Sequence, residues 1–249
     1  MSAPFSFIGT SNIYIDVLTD EGVATGLQLK GNCPELSIKT DSERKEQTGN
    51  GRDNYGQVIA SVTIPKPASL SFTLNQVDQE MFAMAFFGSN AVFSQAASTL
   101  TDSPVITVAD KFVEIGKMNL SSVVVKNEAG STTYVAGTDY EVNPRLGLIR
   151  ALSTGAIPAG ATVEISATVG AITGTRMKAM TKSNVRCRLL VDGKNHADGR
   201  EFMLDVFRAR LAPSGDLAVQ GENFMEAKFE ATLETPSGKD TPFELTFMS

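Results

Sequence analysis

Glu35-Leu-Ser-Ile-Lys-Thr40 alternates polar and apolar side chains, as a strand with one buried face does. Two further alternating runs follow it, Val58-Ile-Ala-Ser-Val-Thr-Ile64 and Ser69-Leu-Ser-Phe-Thr-Leu74, with Pro65-Lys-Pro67-Ala68 as the corner between them. The period of two places Leu70, Phe72 and Leu74 on one face and Ser69, Ser71 and Thr73 on the other. Between the first and second runs, Asp41 to Gln57 hold almost no hydrophobic residue and read as a long, flexible, charged loop. Loops of more than about a dozen residues are uncommon in compact domains and are usually functional or disordered. The bland alternative is a solvated hairpin connection.

A helix signal comes next. Asn75 suits the N-cap, Asp78 and Glu80 fall in the first turn, and Gly88 ends the segment. Val77, Met81, Met84 and Ala85 share a face flanked by Phe82 and Phe86, so these residues read as core packing. Toward the C-terminus, Phe224 to Glu234 is an amphipathic strand with Glu226, Lys228, Glu230, Thr232 and Glu234 on one face. In Val185-Arg-Cys-Arg-Leu189, Arg186 and Arg188 share a face and Cys187 points the other way. The cationic pair suits an exposed strand that resists edge pairing, or a contact with acidic neighbours.

The strand, polar loop, strand pair and Leu74-to-Gly88 helix, together with the Asn195-to-Gly199 turn and the closing strands, resemble the tail tube (major tail) proteins of long-tailed bacteriophages. The resemblance covers roughly two thirds of the chain, in pattern rather than in invariant motifs. It implies a mainly β fold: an antiparallel sandwich or barrel-forming tube domain, one short covering helix and an inserted module. The expected division is 1–98 and 175–249 for the tube domain, with 99–174 as the insert. In the insert, short strands separated by turn signals suggest a small sandwich. Its segment Val135-Ala-Gly-Thr-Asp-Tyr-Glu-Val142, with Leu148-Ile149, is similar to immunoglobulin-like decorations of phage tail proteins.

The same resemblance assigns roles. The loop would reach the adjacent ring through Glu46, Gly49, Gly51, Arg52, Asp53 and Tyr55, with Tyr55 its aromatic anchor. Phe5, Phe7 and Ile8 form an arm that docks on its own core or on a neighbour. Ser69, Ser71 and Thr73, with Glu226, Lys228 and Glu230, are candidates for a luminal face. Short hydroxyls and a mildly acidic wall would let double-stranded DNA pass without adhering. The partners implied are further copies of the chain, as stacked hexameric rings, and other tail proteins at the tube ends. The setting implied is the virion tail, assembled in the host cytoplasm. A solvated outer face is the plain alternative for these strands, and arginines are expected away from any lumen.

The rest bounds the function. The chain has 249 residues, 42% hydrophobic and 20% charged, with no tryptophan and a net charge of -6. That composition is globular and lacks the basic excess of a general nucleic-acid binder. The N-terminus has neither the basic nor the apolar region of a secretory signal, and no apolar run is long enough to span a bilayer. Cys33 and Cys187 belong to no Cys-x-x-Cys or Cys/His cluster. They read as reduced thiols, with a pairing between them left open. The only histidine, His196, sits in the turn Asp192-Gly-Lys-Asn-His-Ala-Asp-Gly199 with no nucleophile beside it. Gly49-Asn-Gly51 does not continue as a dinucleotide fingerprint, and Gly238-Lys239-Asp240 lacks P-loop spacing. No enzyme, cofactor or metal site is expected. A tube-forming secretion-system protein and a β-sandwich that binds glycans or a receptor remain the alternatives.

Overall fold

The computed structural model describes residues 5–248. The fold is mainly antiparallel β with one short helix. In chain order the elements are β1 (Gly9–Val17), β2 (Gln28–Leu29), β3 (Glu35–Lys39), β4 (Ser42–Thr48), β5 (Val58–Pro65), β6 (Ser69–Leu74) and α1 (Gln79–Met84). They continue with β7 (Ser89–Gln95), β8 (Ser98–Ile106), β9 (Phe112–Glu114), β10 (Leu120–Asn127), β11 (Tyr140–Asn143), β12 (Leu148–Ala151), β13 (Thr162–Val169) and β14 (Ile172–Lys178). The last four are β15 (Val185–Asn195), β16 (Glu201–Pro213), β17 (Ala227–Leu233) and β18 (Phe243–Phe247). The chain forms two compact units, one joining residues up to Asn90 with those from Met177 onward, the other Ala91–Arg176.

The main sheet of the first unit runs in the order β2-β1-β15-β16-β17-β6-β3, with β18 also pairing with β16, and β4 and β5 form a separate two-stranded sheet. The long β16 serves two partners along one edge: Phe202–Val206 pair with β18, and Ala209–Pro213 pair with β17. The alternation read from the sequence sets the inner face. Ala227, Phe229, Ala231 and Leu233 of β17 are buried, and so are Val185, Cys187, Leu189 and Val191 of β15. Phe72 and Phe229 lie directly opposite each other and stack with ring centroids 5.2 Å apart. Met81 and Met84 of α1 join this core. No barrel is closed by hydrogen bonds among the described residues.

The second unit has two three-stranded sheets, β10-β13-β8 and β11-β12-β9. Val125, Val163 and Ile165 of the first and Tyr140, Ile149 and Ala151 of the second belong to one core of their own. β7 and β14 pair as a separate two-stranded ribbon.

Several expectations need correction. Asp41–Gln57 is not a long loop: Ser42–Thr48 is β4, paired along its length with β5, so Glu46 lies on a strand and only the remainder is turn. The backbone pairing of β5 recruits the polar segment, whose side chains stay in water. The helix is six residues long and is capped by Asp78, not Asn75. Asn75 is engaged elsewhere, since its N–H donates to Asn32 O and its side chain accepts from Asn32 Nδ2 at 2.8 Å. The helix does not run on to Gly88, because a left-handed Phe87 (φ 50) turns the chain first. Between β1 and β3 only Gln28–Leu29 is strand, and Asp16 holds the loop before it by accepting from Thr25 N, Thr25 Oγ1 and Gly26 N. Thr73 is buried rather than exposed. It lies on the outer side of β6 directly between Glu35 and Lys228, and long side chains placed opposite a short one cover it.

Candidate assembly surfaces

The β4–β5 hairpin is the most exposed element of the first unit. Every residue of both strands is solvent-exposed, including Val58 (49%), Ile59 (57%), Val62 (57%) and Ile64 (42%). The pairing places Ala60, Val62 and Ile64 on one face with Gln47, Lys45 and Glu43 opposite them, and a bulge next to Ala60 sets Val58 opposite Thr48 on the other face. Ser61 and Thr63 share the other face with Glu46 and Arg44, which form an ion pair at 2.8 Å. The tip is closed by Gly49 N to Gln57 O (2.7 Å) and Gly56 N to Gly49 O (2.9 Å). A Cβ at Gly49 would lie 2.5 Å from Asn54 O, so the tight tip needs glycine there. Arg52, Asp53 and Tyr55 ride on this tip, Tyr55 81% exposed. The sequence pointed to the tip residues but missed the apolar row on β5, because an alternating strand is normally read as half-buried.

The outer face of the first unit's sheet gathers the residues proposed for a lumen. Cross-strand pairing aligns Ser37 with Ser71 and Glu230, and Glu35 with Thr73 and Lys228. The Ser37 and Ser71 hydroxyls are 2.8 Å apart, and Ser214 Oγ donates to Glu230 at 2.9 Å. Glu226, just before β17, lies 3.6 Å from Lys228. The arginines are not kept away from this face. Antiparallel pairing sets Arg210 opposite Thr232 on one side and Arg186 on the other. Arg186 is offset by Glu234 at 3.4 Å, and Arg188 grips Asp205 through Nε (3.0 Å) and Nη2 (2.6 Å). The Asp205 hydrogen bond holds the Arg188 guanidinium above its ordinary pKa. The result is a mixed-charge wall, more neutral than the acidic one expected.

The arm residues dock on their own chain. Asn195, buried at the end of β15, accepts from Ile8 N (2.9 Å) and donates to Ser6 O (2.9 Å), and His196 N donates to Ile8 O. Phe7 packs on Phe202 (5.2 Å) and Phe5 on Phe247 (5.5 Å). His196 is a turn residue whose Nε2 lies 2.7 Å from Thr10 Oγ1. Among the described residues no group of three or more His, Cys, Asp or Glu is placed to hold a metal ion. No helix among them is long and apolar enough to cross a membrane. Cys33 and Cys187 are both free thiols.

These surfaces belong to a mainly antiparallel β protein that presents a bare hairpin and a broad polar sheet face. The chain is a member of the family described as "Protein of unknown function UCP028589", whose profile matches residues 6–244. A 42-residue stretch is 50% identical to the tail sheath protein of Burkholderia phage BcepMu, covering 17% of this chain and 9% of that protein. The chain thus matches only a small fraction of that relative's length.

Proposed function

We propose that the chain is a structural subunit of a phage tail, and specifically a tail tube protein that self-assembles into stacked rings around a DNA conduit. The observation that carries this reading is the β4–β5 hairpin. Two strands standing alone are at best marginally stable in water, and this pair exposes Val58, Ile59, Val62 and Ile64. A contact with another copy would bury those side chains and fix the hairpin. The partial similarity to a phage tail sheath protein supports a tail role, and the order of elements supports the tube assignment by resemblance. The rings would be hexameric, as in the proteins it resembles. A luminal wall built from the Ser71 and Glu230 face would carry paired charges of both signs, so no net cationic track would hold the DNA backbone.

Electron microscopy and light scattering of the concentrated protein test this directly. Rings or hollow tubes are expected; a particle that stays monomeric at every concentration, with or without other tail components, rejects it. The tail sheath match favours one second reading, a component of the sheath layer. That reading expects copies to assemble around a preformed tube rather than to make one.

A further inference from the structure

We propose that an uncharged groove along the open side of the first unit's sheet receives the β5 face of a second copy. This deepens the tube reading and rests on it for the biological setting. Among the described residues the sheet ends at β3, which pairs with β6 alone, while β18 pairs with β16 alone, so each presents a free edge. Between them lies a groove of about 610 Å³. Leu36 and Ile38 of β3 line one side, and Leu204, Phe243 and Leu245 of β16 and β18 line another. Among the described residues none that lines it is charged, and Cys33 is at its wall.

The occupant is identified by pattern and by tether. Ala60, Val62 and Ile64 repeat every second residue on an exposed strand, the same period with which Leu36 and Ile38 face the groove. The facing strand β4 adds Glu43 and Lys45 to that face, one charge of each sign, which suits an uncharged receiver. Donation of an extended strand to a sheet with a free edge is a recurrent mode of recognition. The row cannot easily turn back into its own groove. Only Thr40 and Asp41 separate β3 from β4, and Lys66 N donates to Asp41 O to clamp the base of the hairpin between Pro65 and Pro67. Donor row and receiving groove are different surfaces of one chain, so the contact is head-to-tail and propagates from copy to copy.

The native Cys33 provides the test. Ala60, Val62 and Ile64 are each replaced by Cys, with Ser61→Cys and Thr63→Cys as controls from the other face. Each full-length variant is treated with diamide, which takes the two electrons and two protons released as an inter-chain disulfide forms. All the substituted positions are exposed, and unchanged melting temperatures check folding. At least one row variant is expected to give covalent oligomers that vanish when Cys33→Ser is added, and no control variant should. Val62→Asp should raise the concentration needed for assembly about tenfold or more, and Thr63→Asp should not. Crosslinks without face preference, or crosslinks that survive Cys33→Ser, overturn the groove assignment. So does the absence of any Cys33 crosslink in samples that form tubes, which would leave the tube reading standing. Face-specific, Cys33-dependent crosslinks without rings or tubes would uphold the groove and reject the tube.

Discussion

Lys30 Nζ lies 2.7 Å from Asp78 Oδ2, and the other oxygen of that carboxylate caps α1 by accepting from Met81 N at 2.7 Å. One side chain therefore ends the helix and anchors a lysine whose side chain is 1% exposed. Glu80 completes the grip at 2.8 Å. Burial opposes the charge on Lys30, but the two carboxylates outweigh it and the ammonium's pKa is raised. Burial also pushes the Asp78 carboxyl up, yet Lys30 and the Met81 N–H hold it below its usual value.

The two partners should not be equivalent in stability. Asp78→Ala removes a helix cap, typically about 1 kcal/mol, and leaves the buried ammonium with Glu80 as its one carboxylate beside the Gln28 amide oxygen. Lys30→Met replaces the buried charge with an apolar chain, and the half-exposed acids can turn to water. We expect Asp78→Ala to cost about 2–3 kcal/mol and Lys30→Met about 1 kcal/mol or less. Urea midpoints at constant m-value measure both.

The same pair fixes the sign of a pH dependence. Asp78 has a lowered folded pKa, so its contribution is complete above the unfolded carboxylate value of about 3.9 and fades as pH falls through the folded one. Lys30 has a raised folded pKa, so its contribution is complete below about 10.4 and fades as pH rises through the folded value. Wild type minus Asp78→Ala stability should be flat between those limits and shrink beyond each. A difference that grows on acidification would contradict the assignment.

Gly193 and Phe202 are cross-strand partners on the inner face. A Cβ at Gly193 would lie 2.1 Å from Phe202 Cζ, inside the ring's own space. The same ring packs on Phe7, so displacing it should loosen the arm as well. Gly193→Ala should destabilise by about 1–3 kcal/mol, the usual range for overpacking. Gly174→Ala is the control, since nothing lies within 4 Å of its new methyl.

How far the sequence could be read follows from which neighbours each segment has. The alternation of Ser69–Leu74 and of Ala227–Leu233 was legible because one face of each strand packs on the Phe72–Phe229 core, whereas Phe224, expected in the same strand, precedes it and is exposed. So was the opposition of Cys187 to Arg186 and Arg188, since Cys187 is buried and both arginines point outward. β4 was not legible, because Ser42–Thr48 buries nothing and is a strand only through its pairing with β5. The helix cap was misplaced because Asn75 and Asp78 are both good cap residues, and only long-range contacts with Asn32 and Lys30 separate them. The residues read as a candidate luminal face share one face of the sheet, but the register that also brings Arg210 and Arg186 there is a long-range fact.

Asn195 holds the N-terminal arm through two opposite polarities of one amide. Asn195→Ala removes both bonds and leaves Ile8 N and Ser6 O to water. We expect a loss of about 2–3 kcal/mol and faster amide exchange at Ile8 and Gly9. Exchange in the second unit should not change. If the arm's amides stay protected, the aromatic contacts of Phe5 and Phe7 suffice to hold it.

The two thiols should differ in reactivity although neither is paired. Burial pushes Cys187 up to about 12, and it is fully enclosed in the core. Burial also raises Cys33, but that residue is half-buried at the groove wall, and its Sγ donates to Glu35 O at 3.1 Å. The reactive species is the thiolate, so native protein at neutral pH should be alkylated slowly and at Cys33 alone. The rate should rise with pH through and beyond the ordinary thiol range. Denaturant should expose Cys187 and bring both to the same rate. Mass spectrometry of the alkylated peptides separates the sites, and modification of Cys187 in the folded chain would mean that the β15–β16 core opens on the timescale of labelling. Assembly should slow Cys33 further if a second copy fills the groove, so the ratio of its rates in dilute and concentrated samples reports that contact without any substitution.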